Sequence, residues 1–345
     1  MVRRIVLLLG VLLMSNRVRA AEAEWWETGV FAWKTGSALV WPAERVADPC
    51  HAIKDPTVVF FGGKWHVFCT IRSKLRTHQI EYLAFEDWGK ANGAKREVLK
   101  VTEGYYCAPQ VFYFEPQKKW YLVYQATDKS RTPEWFGPAY STNEDVGKVE
   151  GWTKTAFFEV KQPADNWWID FWVICDEAKA YLFYTALNGT MWRAETNLSE
   201  FPRRWSEPVK CLQGDIFEAS HTYRLKGMQK YLTMVEAKDG GRRYYKAYVA
   251  ERLDGQWKEL AGTSQKPFAS RANVNQTGVK WTDSISHGEL IRDGYDQRLE
   301  VDGRRLRFLF QGVSDEAKAG KGYGDNPWRL GILEEAEERG ALGGR

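Results

Sequence analysis

At 345 residues with a formal charge of +4, the chain is long enough for one large all-β domain or two ordinary ones. Beyond the N-terminal segment it has no basic run or stripe, which argues against nucleic acid as a partner. Aromatic residues at 14%, with 17 tryptophans, are a surplus that suits stacked blade cores or a carbohydrate groove.

The chain starts Met1-Val2-Arg3-Arg4, followed by an apolar run from Ile5 to Met14 and small residues around Val18 and Ala20. A basic start, a short apolar core and a small-residue end make a secretory signal peptide, assigned to residues 1–20. The run is too short for a permanent bilayer anchor, so the expected mature protein is exported, extracellular or periplasmic, and free of the membrane. Removing the segment takes away four arginines and no acid, so the charge falls to about zero. Residues 21–345 show no interdomain linker and are read as a single domain and a monomer.

Next comes Ile53-Lys54-Asp55-Pro56-Thr57-Val58-Val59-Phe60-Phe61, a Gly62-Gly63 turn, and Lys64-Trp65-His66-Val67-Phe68-Cys69. A β-branched and aromatic run, a Gly-Gly turn and an alternating run predict a hairpin with an acid at its head. The pattern returns at Ala108–Tyr124, Asp170–Tyr184, Glu218–Val235 and His287–Gln311. Third runs follow at Ile80–Phe85, Pro138–Ser141, Thr190–Glu195, Tyr244–Ala250 and Trp328–Leu333, and the first four are followed by Trp88, Trp152, Trp205 and Trp257. Strand-rich units roughly 50–70 residues apart, without helical periodicity, predict an all-β fold, a five-bladed β-propeller. The run Gly29–Trp33 is expected to add the outer strand that closes the ring.

Five cysteines survive in the expected mature chain, in no zinc-binding or CxxC spacing. Cys69 and Cys175 sit in apolar runs as small hydrophobes. Cys50 and Cys211 fall in loops before two hairpins, where an exported protein can form a disulfide.

In a propeller the first strand of each blade lines the channel, so the residues heading those strands converge on one mouth. Here they read Asp55, Ala108, Asp170, Glu218 and His287. Acids at strand starts also cap turns, but three in one phase favour a shared site. Carboxylates of unequal pKa in a cleft are what glycoside hydrolysis requires. Lys54 brings a positive charge beside Asp55, which favours an ionised base. His287 on the axis ligates a metal, orients a carboxylate or bonds to backbone, and all three stay open. Trp167 and Trp168 lie where a sugar stacks, or in the core.

These residues also carry a resemblance. Ile53–Val59, Gly63–Phe68, Ala108–Phe114, Trp120–Gln125, Trp168–Asp176, Phe217–Ala219, Ser286–Glu289 and Pro327–Gly331 resemble glycoside hydrolase family 62, over about Phe31 to Leu333. The resemblance implies a secreted, inverting α-L-arabinofuranosidase that trims arabinoxylan. It implies Asp55 as general base, Glu218 as general acid and Asp170 as the carboxylate that orients and tunes the acid. It further implies a calcium ion associated with His287 and a tyrosine near the sugar pocket at Tyr323, while Lys54 and Trp168, beside Asp55 and Asp170, are expected substrate contacts from their position. Two departures stand out. Tyr323-Gly324 replaces a Tyr-Asn pair, and Ala186-Leu187-Asn188-Gly189 replaces an Asp-Asp-Asn-Gly string. Both bear on the polymer groove. The rival readings are a non-catalytic carbohydrate-binding propeller and a related propeller glycosidase, a β-xylosidase or an arabinanase.

Overall fold

The computed structural model describes residues 24–336, apart from 132–133 and 164–166. The expected signal peptide lies outside these residues. The chain forms five mainly antiparallel sheets in a ring, a five-bladed β-propeller. Blade one holds Cys50–Phe61, Lys64–Ser73, Gln79–Phe85 and Glu97–Val98. Blade two holds Tyr106–Phe114, Lys119–Asp128, Trp135–Asn143 and Ala156–Phe157. Blade three holds Trp168–Cys175, Lys179–Ala186, Thr190–Asn197 and Val209–Gln213. Blade four holds Glu218–Leu225, Tyr231–Asp239, Arg242–Ala250 and Lys258–Ala261. Blade five holds Ser284–Leu290, Arg307–Val313 and Arg329–Glu335, completed by an N-terminal strand.

That closing strand is Trp33–Thr35, paired antiparallel to Arg329–Glu335. It starts where the expected Gly29–Trp33 run ends. Phe31 is instead packed against Trp25 and Phe268, so its apolar neighbourhood reads as strand in the sequence but serves as filling. Blades one to four each also have an outer strand after the third run, too short and mixed for the hydrophobic pattern to show.

The tryptophans that follow the third strands explain much of the aromatic surplus. Trp152 meets Phe68 of blade one edge-on at 5.5 Å, Trp205 meets Phe158 of blade two at 5.5 Å, and Trp257 meets Phe183 of blade three at 6.1 Å. Each is a wedge driven into the preceding blade, and such pairs contribute about 0.5–1.5 kcal/mol beyond their burial. Trp88 departs from this pattern and packs on Trp65 and Phe85 of its own blade.

The long turn of the fifth hairpin closes one end of the channel. Tyr295 accepts the backbone N–H of Tyr113, Gln297 that of Cys175, and Leu299 that of Arg224. The segment thus crosses under blades two, three and four. Above it, Arg292 donates to the carbonyls of Val58 and Val111 at 2.8 Å each and pairs with Glu289 at 2.7 Å. With this end sealed, the channel opens as a cleft at the other.

All five cysteines are free thiols. Cys50 and Cys211 lie on strands of blades one and three, where Cys50 contacts Arg45 and Cys211 donates to the Met191 carbonyl. The sequence neighbourhood suggested loops, but the ring separates the two blades.

Candidate active site

The innermost strand of every blade is broken by a β-bulge at the cleft mouth, between Lys54 and Thr57, Cys107 and Gln110, Ile169 and Trp172, Glu218 and His221, and Ser286 and Gly288. In blades one to four a bulge residue has left-handed backbone: Asp55 (φ 46°), Ala108 (52°), Asp170 (58°) and Ala219 (55°). The conformation costs a residue with a Cβ about 1–2 kcal/mol, so something must hold it. The holder is a hydrogen bond across each blade junction. The N–H of Asp55 donates to Gln311 at 2.7 Å, Ala108 to Thr70 at 2.8 Å, Asp170 to Gln125 at 3.1 Å and His287 to Glu236 at 2.7 Å. Each acceptor faces the residue just before the bulge in its own blade, as Thr70 faces Lys54 and Glu236 faces Glu218. At the third junction Thr185 holds that place, yet the Ala219 N–H goes to the Asp170 carboxylate at 3.0 Å.

This register corrects the sequence alignment of the ring. Glu218 does not share the position of Asp55 and Asp170; Ala219 does. Glu218 stands one residue earlier, equivalent to Lys54. The bulge turns both positions toward the cleft, so the three carboxylates still meet in a cavity of about 740 Å³, with Lys54, His287 and Tyr323 on its walls.

Blade one makes Asp55 an anion. Burial pushes its carboxyl up, but Lys54 at 3.7 Å, His287 at 3.5 Å and the Thr70 hydroxyl outweigh that and hold it below the usual carboxylate range. Thr70 uses its lone pair for Ala108, which leaves its proton for Asp55. Glu218 is driven the other way. Burial first, then the Glu236 carboxylate, push it up to about 7, against the pull of Arg243 at 3.0 Å. Asp170 is raised well above the carboxylate range by burial, Glu218 and Asp55. Asp170 and Glu218 are thus both shifted toward the protonated form, opposite to Asp55.

His287 lies inside this group, its Nδ1 3.5 Å from Asp55 and 3.9 Å from Asp170. Burial keeps its pKa below the ordinary histidine value. Its ring rests edge-on against His221, which stacks on Trp172 at 4.2 Å and donates Nδ1–H to the Gly288 carbonyl. Among the described residues no group of three or more His, Cys, Asp and Glu side chains is arranged to hold a metal ion. A calcium ion prefers six to eight oxygen ligands, and these side chains alone do not supply such a cage.

Lys54 and Tyr323 line the cleft, the ammonium 5.3 Å from the ring centroid, with Arg243 at the same distance. Trp168 is among the residues that line the cleft. It is wholly buried, with its indole N–H on the Phe136 carbonyl at 2.9 Å and its ring edge-on to Phe171 and Tyr184. The open aromatic face belongs to Trp167, 60% exposed and stacked nearly parallel on Phe136. The strand begins at Trp168, so Trp168 is packed within the blade while Trp167 lies just outside it.

Glu236 and Arg243 were not legible in the sequence as site residues. Glu236 accepts from the His287 N–H, the Ser286 hydroxyl and Arg243, and Arg243 bridges it to Glu218. The available signal was strand pairing, since Glu236 faces Glu218 across the hairpin. Arg72, His78, Tyr105, Cys107, Trp135 and Phe136 also line the cleft and carried no motif.

The glycosyl hydrolase family 62 model matches residues 32–334. The chain is 37% identical over 289 residues to α-L-arabinofuranosidase C of Cellvibrio japonicus (strain Ueda107), covering 82% of this chain and 44% of that protein. It thus spans less than half the length of that curated relative. Its fold is similar to the catalytic domain of a Coprinopsis cinerea family 62 α-L-arabinofuranosidase, with a TM-score of 0.83 and 37% identity over 89% of this chain and 98% of that one. It is also similar to a family 62 hydrolase solved with xylotriose, with a TM-score of 0.82 and 37% identity over 90% and 99% of the two chains.

Proposed function

Because the chain belongs to glycosyl hydrolase family 62, we propose that it is an α-L-arabinofuranosidase that removes terminal arabinofuranosyl branches from arabinoxylan with inversion. The observation that carries this reading is the ionisation split within one cleft. Asp55 is held as a carboxylate, while Glu218 at about 7 retains its proton over much of the acidic and neutral range. A binding propeller has no need of such a split.

In the proposed step Asp55 takes a proton from water as the water oxygen bonds to the anomeric carbon. The bond from that carbon to the xylan oxygen breaks, and Glu218 passes its proton to the departing oxygen. Asp170 anchors the Ala219 N–H, fixing the backbone beside Glu218. Arg243 holds the Glu218 carboxyl in place. Lys54 keeps Asp55 ionised, and Trp167 offers a stacking face for a xylan sugar.

A calcium ion beside His287, held mainly by water oxygens, is part of the proposal as a structural element only. Calcium addition is then expected to raise Tm, and chelation to lower it again. Export is likewise proposed, on the Arg-flanked apolar run 5–14, and N-terminal sequencing of the exported protein checks it. The deciding experiment is proton NMR of fresh digests of wheat arabinoxylan. Free arabinose appearing first as the β-anomer supports the reading; an α-anomer overturns inversion, and no arabinose overturns the activity.

A further inference from the structure

Arg72 lines the cleft from the second strand of blade one, and no carboxylate answers it. Among the described residues its guanidinium makes no hydrogen bond or ion pair, and its Nε is buried without a partner. The other cations close to the acid–base pair are matched, Lys54 by Asp55 and Arg243 by Glu218 and Glu236. A buried donor left unmade costs about 1–3 kcal/mol, and more when charged. Neighbouring His78 does not offset the charge: burial, then Lys54 and Arg72, press its pKa down to about 3 and keep it neutral. This wall of the cleft therefore carries a positive charge with no internal counterpart.

Gly324 makes the room for it. A Cβ there would stand 2.7 Å from Arg72 Nη1 and 3.1 Å from Nη2, so a side chain at 324 would push the guanidinium from its seat. Gly324 is not among the left-handed residues, so the backbone does not demand glycine at this point. The space does. The loop is pinned against blade one by the His51 Nε2 contact with the Gly324 carbonyl at 3.0 Å.

We propose that Arg72, in the space left by Gly324, is a carboxylate subsite that recognises a uronosyl group carried on the polysaccharide beside the arabinofuranosyl branch. The assignment rests on the arabinofuranosidase reading of this cleft. A guanidinium matches a carboxylate through two parallel N–H donors, whereas a neutral sugar hydroxyl leaves the charge unmet. Arg72 pairs with Ala52, upstream of Lys54 on the neighbouring strand, and it abuts the loop after Tyr323. The anionic group thus belongs to a neighbouring sugar and not to the arabinofuranosyl unit that leaves.

The test uses full-length Glu218→Gln protein, which binds without turnover. Calorimetry compares arabinoxylo-oligosaccharides that differ only in a glucuronosyl group on the adjacent xylose. The acidic oligosaccharide is expected to bind roughly tenfold tighter. That preference should shrink in about 0.5 M salt and vanish when Arg72→Met or Gly324→Asn is added. A galacturonate-containing oligosaccharide that binds tighter still keeps the subsite and moves the source of the carboxylate from xylan to pectin. Equal affinity for acidic and neutral ligands, an equal loss for both in Arg72→Met, or no binding of either overturns the assignment. Arabinose release by the wild type from the neutral oligosaccharide is scored separately, so failure of the activity is told apart from failure of the subsite.

Discussion

Blades one and four have the same backbone at the cleft and opposite chemistry. In each, a bulge follows a pre-bulge residue, and a second-strand side chain faces that residue. Blade one fills the three places with Lys54, Asp55 and Thr70, setting a cation and a hydroxyl around one acid. Blade four fills them with Glu218, Ala219 and Glu236, setting two acids face to face with only Arg243 between them. The first arrangement ionises its carboxyl and the second protonates its own. One repeated frame thereby furnishes both an ionised and a protonated carboxyl, and what distinguishes them is the sign of the neighbour.

The severest way to break the contrast is to remove either carboxyl. Glu218→Gln and Asp55→Asn are each expected to lower kcat on arabinoxylan by roughly 10²- to 10⁴-fold. Nitrophenyl arabinofuranoside separates them, since its good leaving group needs no acid: Glu218→Gln should recover much of its rate there and Asp55→Asn should not. Equal losses on both substrates would contradict the assigned roles.

Changing the neighbours sharpens the contrast. In the wild type kcat/KM should fall as pH rises through about 7, where Glu218 loses its proton. On the acid side activity should persist below the usual carboxylate range, because Asp55 is depressed. Lys54→Met removes the charge that favours ionised Asp55, so the acidic limb should move up by about one pH unit or more. Glu236→Gln removes the like charge facing Glu218, so the basic limb should move down, read from the same pH profile. It should also lower stability by about 1–3 kcal/mol in urea unfolding, through the weakened acceptor for the His287 N–H.

The smallest expected effect is at the third junction. Thr185 has no partner for its buried hydroxyl, because the Asp170 carboxylate has taken the Ala219 N–H. Thr185→Val should leave stability within about 0.5 kcal/mol of the wild type. Gln125→Leu, at the equivalent place one junction earlier, should cost about 1–3 kcal/mol by orphaning the Asp170 N–H. Equal unfolding free energies for these two variants would refute the idea that the Asp170 carboxylate has replaced Thr185 as the structural acceptor.

The five hairpins, their turns and the third strands were legible because a half-buried blade writes its period into the side chains. The short outer strands and the exact closing strand were not, since a few residues at a sheet edge carry no period. Asp55, Asp170, Glu218 and His287 were found by the assumption of one phase, which held for three of them. Glu218 was placed correctly in the cleft through the wrong register. A bulge adds a residue without changing composition, so Glu-Ala and Lys-Asp cannot be aligned by chemistry alone. Trp167 and Trp168 both line the cleft, and their sequence neighbourhood does not show that only Trp167 carries an exposed face.

By itself the sequence determined the repeat, the propeller and the carboxylates at its mouth, because burial pattern and turn chemistry are local properties of the chain. Tertiary structure decided which acid is which. Glu236 reaches Glu218 only through strand pairing, Asp170 reaches Ala219 only across a blade junction, and Arg72 meets Gly324 only when the last blade closes on the first. Electrostatic neighbours are set by distance in space, and a ring fold brings together residues that the chain keeps far apart.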